Sequence, residues 1–265
     1  MRIDVPGATL EVKTIGSGAP ALMLHGFPFS SEMWGPVASR LAARGFQLLI
    51  PDLRGFGGSS GSPAVDLSTH VADLVAVLDA FKLLDPLPWI GFSMGGYVAL
   101  DAWRRRPERI GALALVDTRA GADDAKAQAG RRATADRVER EGSAVVVDAM
   151  LPKLFAGATS EMMRRAVRVQ MLGASSPGVA AALRAMAARP DSVSMLPTID
   201  VPTLVVTGVE DAITPTTDAQ ALAAGIPGAQ LRLVEGAGHL SPIEQPDAVV
   251  EALADFLRRA APANR

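Results

Sequence analysis

The residues best equipped for chemistry in this chain are a serine, a histidine and an aspartate that stand far apart in sequence. Gly91-Phe92-Ser93-Met94-Gly95 carries a glycine two residues to either side of its serine, between a β-prone run and a helical pattern. Glycines at those offsets let neighbouring backbones approach without a Cβ clash, so Ser93 is expected on a tight, strained strand-to-helix turn. A hydroxyl is a weak nucleophile near neutral pH and needs a base within hydrogen-bond reach. Of three histidines, His239 lies in the glycine-rich stretch Glu235-Gly236-Ala237-Gly238-His239, after the last β-prone run and before the last helical one. His25 ends a β-prone run and reads as a loop-shaping residue; His70 falls in a surface-helix pattern and reads as structural or solvated.

A histidine base in turn needs a buried carboxylate to fix its tautomer. Asp211, in Gly208-Val209-Glu210-Asp211, follows the penultimate β-prone run and is the first choice. Asp117, which also ends such a run, is its main competitor, and Glu210 a weaker one. The order Ser93, Asp211, His239 matches one known arrangement of these three groups and differs from two protease orders. Acyl transfer also requires backbone donors for an oxyanion. These are expected from the N–H of Met94, next to the serine, and of Phe27 in His25-Gly26-Phe27-Pro28, where Pro28 has no N–H to give. Trp34, close to that loop in sequence, is a candidate for the pocket wall.

The elements that must position these groups follow from periodicity. Residues 9–14 alternate as a half-exposed strand, while 21–25, 48–51, 87–91, 113–117, 203–207 and 230–234 read as buried strands, several of them apolar on both faces. Helical patterns over 67–84, 95–106 and 247–259 lie between or after them, the last two closing on arginines. Such alternation predicts an α/β fold with a mostly parallel sheet flanked by helices. The rhythm breaks over about 118–198, which is rich in alanine, arginine and methionine (Met150, Met162, Met163, Met171, Met186, Met195) and poor in β-prone runs. It predicts an inserted helical cap over 118–200 on a core formed by 1–117 and 201–265.

Composition narrows the function classes. A net charge of −2 offers no basic field for nucleic acid or an anionic membrane. The absence of cysteine removes disulfides, a thiolate nucleophile and cysteine-ligated metals. No cluster has metal-ligand spacing, so neither metal nor cofactor is expected. Gly16-Ser17-Gly18-Ala19-Pro20-Ala21 precedes a strand and does not open a helix, which argues against a nucleotide role. Met1 to Gly7 lacks a signal-type apolar run, and a soluble, cytoplasmic protein is expected.

On His25-Gly26-Phe27-Pro28, Asp52-Leu53-Arg54-Gly55-Phe56-Gly57-Gly58-Ser59, the Ser93 turn, Gly208-Val209-Glu210-Asp211 and Gly236-Ala237-Gly238-His239, the chain resembles the α/β-hydrolase fold superfamily. That resemblance implies an eight-stranded, mostly parallel sheet with the helical cap inserted after the sixth strand. Within the superfamily the chain is similar to small capped esterases, enol-lactonases and cofactor-free haloperoxidases or perhydrolases. It departs from haloalkane dehalogenases, which place an aspartate where Ser93 stands. The reading favours hydrolysis of a small, mostly uncharged carboxylic ester or lactone through an acyl-enzyme. The cap arginines Arg119, Arg131, Arg132, Arg164, Arg165, Arg168 and Arg184 leave a carboxylate-bearing substrate open. Perhydrolysis with the same three residues, and a non-catalytic ligand-binding role on the same fold, are the alternatives.

Overall fold

Residues that are apolar on successive positions of a strand can all be buried only if both sheet faces are covered. The computed structural model, which describes residues 1–64 and 66–260, has this arrangement. Its strands are β1 (Arg2–Val5), β2 (Ala8–Ile15), β3 (Ala19–Leu24), β4 (Phe46–Pro51), the two-residue β5 (Ser60–Gly61), β6 (Leu87–Phe92), β7 (Ile110–Val116), β8 (Thr203–Gly208) and β9 (Gln230–Val234). They lie in the order β1-β2-β4-β3-β6-β7-β8-β9, with β5 paired to β2 off this path. Every pairing from β4 to β9 is parallel, and only β1, β2 and β5 join antiparallel.

Alternate side chains divide between two cores. Leu22, Leu24, Leu113, Leu115 and Val205 meet α2 (Leu67–Ala80), α3 (Met94–Arg105) and α8 (Thr216–Gly225) through Val71, Leu74, Val98 and Leu222. Ala21, Met23, Ala114, Val116, Leu204 and Val206 meet α1 (Gly35–Ala42) and α10 (Pro246–Ala260) through Val37, Leu41, Val249 and Leu253.

Between β7 and β8 the chain forms helices and no strand: α4 (Ala125–Glu141), α5 (Ala144–Met150), α6 (Glu161–Leu172) and α7 (Ser176–Ala187). Local chemistry sets these boundaries. Asp124, Ser160 and Ser175 each accept a hydrogen bond from an N–H in the first turn of α4, α6 and α7. Gly142 ends α4 at a φ of 92°. The insertion contributes to both cores, with Val138, Val179 and Leu183 in one and Val167, Met171 and Phe155 in the other. Of its methionines, Met171 and Met186 are buried whereas Met162 projects outward.

In an open parallel sheet, ligands bind where the strands end at their carboxyl side. His25 follows β3, Ser93 follows β6, Asp117 follows β7, Asp211 lies in the loop after β8, and His239 in the loop between β9 and the short α9 (Ser241–Glu244).

Candidate active site

The serine turn is built by close backbone approach. Ser93 sits between β6 and α3 at φ 50°, ψ −112°, a conformation strained for any residue with a Cβ. Its N–H donates to the Val116 carbonyl at 2.9 Å, and its carbonyl accepts from the Gly96 N–H at 2.9 Å and the Thr118 hydroxyl at 2.8 Å. A Cβ at Gly91 would stand 2.5 Å from the Gly95 carbonyl oxygen, and one at Gly95 the same distance from that of Leu24. The two glycines therefore permit the contact between strand, turn and helix that holds the serine in its strained state.

Three groups from distant loops meet at this turn. His239 Nε2 lies 3.0 Å from Ser93 Oγ, and His239 Nδ1 lies 2.9 Å from Asp211 Oδ2. An ionised carboxylate only accepts, so Nδ1 carries the proton and Nε2 presents its lone pair to the serine hydroxyl. Asp211 is itself fixed by the N–H groups of Ile213 (2.7 Å) and Thr214 (2.9 Å) and by the Thr214 hydroxyl (2.7 Å). Burial alone would raise its pKa; His239 and Thr214 outweigh that effect, and the carboxyl titrates below its ordinary range. The Phe92 ring packs against the imidazole with centroids 5.3 Å apart.

The remaining residues singled out from sequence fall elsewhere. Asp117 is fully buried and adopts a φ of 44°, accepting from the Gly208 N–H (2.8 Å) and the Ser241 hydroxyl (2.5 Å). It spans the loops that carry Asp211 and His239 and makes no hydrogen bond to the imidazole. Glu210 accepts from the Gly157 N–H at 2.9 Å, which ties it to the insertion. His25 Nδ1 donates to the Gly26 carbonyl and Nε2 accepts from the Leu53 N–H, each at 2.9 Å, so it braces the loop beside the serine. His70 is buried, contrary to a solvated reading, because it shares the inward stripe of α2 with Leu67, Val71 and Leu74. Trp34 does not stand on a pocket wall: it is fully buried, edge-on to Phe92 at 6.2 Å, as part of the core under the site.

Both expected oxyanion donors are close to the serine turn. Met94 opens α3, so its N–H belongs to the unpaired first turn of that helix. A Cβ at Gly26 would lie 3.1 Å from that of Ser93, so the residue just before Phe27 abuts the same turn. The Phe27 N–H has no backbone acceptor among the described residues.

Two supporting residues, Thr214 and Glu244, were not singled out from sequence. Thr214, three positions after Asp211, is spaced for a side-chain turn, and that spacing was the available signal. Glu244 gives none. It accepts from the N–H groups of Gly238 and Ala156, both at 2.8 Å, and from the Thr159 hydroxyl, joining the histidine loop to the insertion.

The doubly covered parallel sheet and the serine turn at its carboxyl edge define a class, and the chain belongs to the alpha/beta hydrolase family, whose model matches residues 21–252. Its similarities within that family include esterases, lactonases and epoxide hydrolases and, at the level of fold, bromoperoxidases. A thermophilic esterase from Thermogutta terrifontis is 36% identical, with a TM-score of 0.95 over 99% of this chain and 100% of that one. Pimeloyl-[acyl-carrier protein] methyl ester esterase from Chromobacterium violaceum is 30% identical over 94% of this chain and 98% of its own. The enol-lactonase from Burkholderia xenovorans LB400 is 28% identical, with a TM-score of 0.86 over 97% of this chain and 100% of that one. Among the described residues no helix is long and apolar enough to cross a membrane.

Proposed function

We propose that this protein is a serine hydrolase of small carboxylic esters or lactones. The observation that carries the reading is the continuous line of contacts from Ser93 Oγ through both imidazole nitrogens of His239 to Asp211. In this reading Ser93 Oγ attacks the carbonyl carbon while its proton passes to His239 Nε2. Asp211 holds the resulting imidazolium, and the N–H groups of Phe27 and Met94 take the charge developing on the carbonyl oxygen. His239 then returns the proton to the leaving alkoxide. A water, deprotonated by the same nitrogen, releases the acid from the acyl-serine.

Two esterases and a lactonase among the relatives support the same chemistry. The helical insertion, tied to the histidine loop through Glu244 and to the acid loop through Glu210, would act as a lid that supplies pocket walls and no reacting group. A panel of short esters, small lactones and peroxide-dependent halogenation, run on one purified sample, tests the reading. It predicts that ester or lactone cleavage dominates. Halogenation with no hydrolysis would replace it with perhydrolysis, and an inert protein that still binds panel members would point to a ligand-binding role.

A further inference from the structure

A cavity of about 350 Å³ lies between the insertion and the loops of the site. Phe27 and Ile213 form its core side, and Val146, Met150 and Leu183 its apolar roof. Phe27 is the proposed oxyanion donor, and Ile213 donates its N–H to Asp211. Ser93, Asp211 and His239 do not themselves line the cavity, which adjoins the site through the Phe27 loop and the loop that follows Asp211. Three cations, Arg119, Arg131 and Lys153, also stand in this wall, against one carboxylate, Asp123.

Asp123 cannot balance them. It is buried and already shared, with Arg131 Nε at 2.5 Å and Arg189 at 3.0 Å. Burial would raise its pKa, and those two guanidinium groups hold it below the ordinary carboxylate range. Arg131 is therefore matched. Other cap arginines are occupied outside the cavity. Arg168 pairs with Asp148, Arg184 with Asp136 and Glu139, and Arg164 lies over the Phe155 ring while donating to backbone carbonyls.

Arg119 differs from these. Among the described residues its Nε is buried without a hydrogen-bond partner, and its one ion pair is the long contact to Asp218 at 3.9 Å. Its other neighbours are the Tyr97 hydroxyl, which accepts from it, and Asp123, already committed to Arg131 and Arg189. It follows Thr118, whose hydroxyl donates to the Ser93 carbonyl, so it enters the cavity wall beside the serine turn. Lys153 is exposed at the rim and has no carboxylate within ion-pair distance among the described residues. A guanidinium whose fork is incompletely satisfied, beside apolar side chains, suits a planar anion on a short hydrocarbon chain.

We infer that the substrate is an ester or lactone bearing a free carboxylate, which Arg119 receives under the insertion while Lys153 attracts it at the mouth. This deepens the serine hydrolase reading and rests on it for the chemistry.

The test uses two matched pairs of esters on the intact protein. One pair carries the anion on the acyl part (monomethyl glutarate and its terminal amide), the other on the alcohol part (4-acetoxybutanoate and its amide). The anionic member of at least one pair should show the higher kcat/KM, on the order of tenfold to a hundredfold, as a charge-assisted hydrogen bond confers. Arg119→Gln should collapse that ratio, Arg119→Lys should restore part of it, and Lys153→Gln should weaken it by less. Arg165→Gln, which removes an equal charge on α6 outside the cavity wall, should leave the ratio unchanged. Equal rates within both pairs, or a ratio indifferent to Arg119, would overturn the inference. Calorimetric binding of glutarate, lost in Arg119→Gln, judges the cavity without turnover. An inert protein that binds glutarate through Arg119 would upset the hydrolase reading and uphold the anion site. An active protein that binds no glutarate and prefers neither anion would do the reverse.

Discussion

Asp211 and Asp117 are buried carboxylates on adjacent strand ends, and their surroundings drive them in opposite directions. Asp211 receives two N–H groups, a hydroxyl and the imidazole, which together keep it ionised. Burial pushes the Asp117 carboxyl well above its ordinary range, the Asp211 charge adds to the shift, and the bonds from Ser241 and Gly208 only partly oppose it. An anion beside the imidazole suits the proposed acid, whereas Asp117 bridges two loops without touching the imidazole. Asp211→Asn should therefore lower kcat/KM for a short ester far more than Asp117→Asn, by a factor of about 10³, since an amide at 211 favours the wrong imidazole tautomer. Steady-state rates of the two variants decide this, and a reversed order would move the acid to the end of β7. Both aspartates could be picked out in sequence as carboxylates that follow apolar runs. Which of them faces His239 depends on the hydrogen bonds each loop makes, and those arise only on folding. Trp34 shows the same limit: an apolar pocket wall and a core contact demand the same side chain.

At the scale of elements, the strands of the sheet centre and the covering helices α2, α3 and α10 were legible from their periodicity. By contrast, α1 and α8 were not read, and β9, expected as a buried strand, is a largely exposed strand at the sheet edge. Nor was β1 legible, since Arg2–Val5 has only four residues, at the sheet edge, too few for its alternation to stand out; the two-residue β5 is too short to show any period. Of the two readings of His70, structural or solvated, the structural one holds: it stands three residues after Leu67 and one before Val71, on the buried side of α2. The serine turn was legible through its glycines, and their packing can be probed directly. Gly91→Ala would force a Cβ to within 2.5 Å of backbone and should destabilise the fold by about 1–3 kcal/mol or more, as overpacking does. Gly130→Ala, in the middle of α4 with nothing within 4 Å of its added Cβ, should stabilise by about 0.5–1 kcal/mol. Denaturant midpoints measure both shifts, and a Gly91→Ala protein as stable as the parent would show that the turn is looser than described.

For the whole molecule, acid stability is set partly by histidines that fold in neutral. Burial, aided by the neighbouring His25 and Arg54, lowers the His70 pKa from 6.5 to about 3. A pKa depressed on folding gives stability that is fully present above about 6.5, where both states are neutral. It drains as the pH falls towards 3, because only the unfolded chain takes up the proton. The loss is at most about 1.4 kcal/mol per pH unit within that window. Thermal melts of wild type and His70→Gln should therefore converge on acidification from pH 7.5 to 4.5, and parallel pH dependences would place the acid sensitivity elsewhere. Activity also belongs to the folded whole, since Ser93, Asp211 and His239 meet only when β6, β8 and β9 are in register. The most direct measurement is to treat the native protein with a fluorophosphonate and map the adduct by peptide mass spectrometry, alongside ester turnover by Ser93→Ala. The serine hydrolase account predicts a single adduct on Ser93, none after unfolding in denaturant, and a fall in kcat on the order of 10⁶-fold for the variant. An adduct on another residue, or an active Ser93→Ala protein, would contradict it.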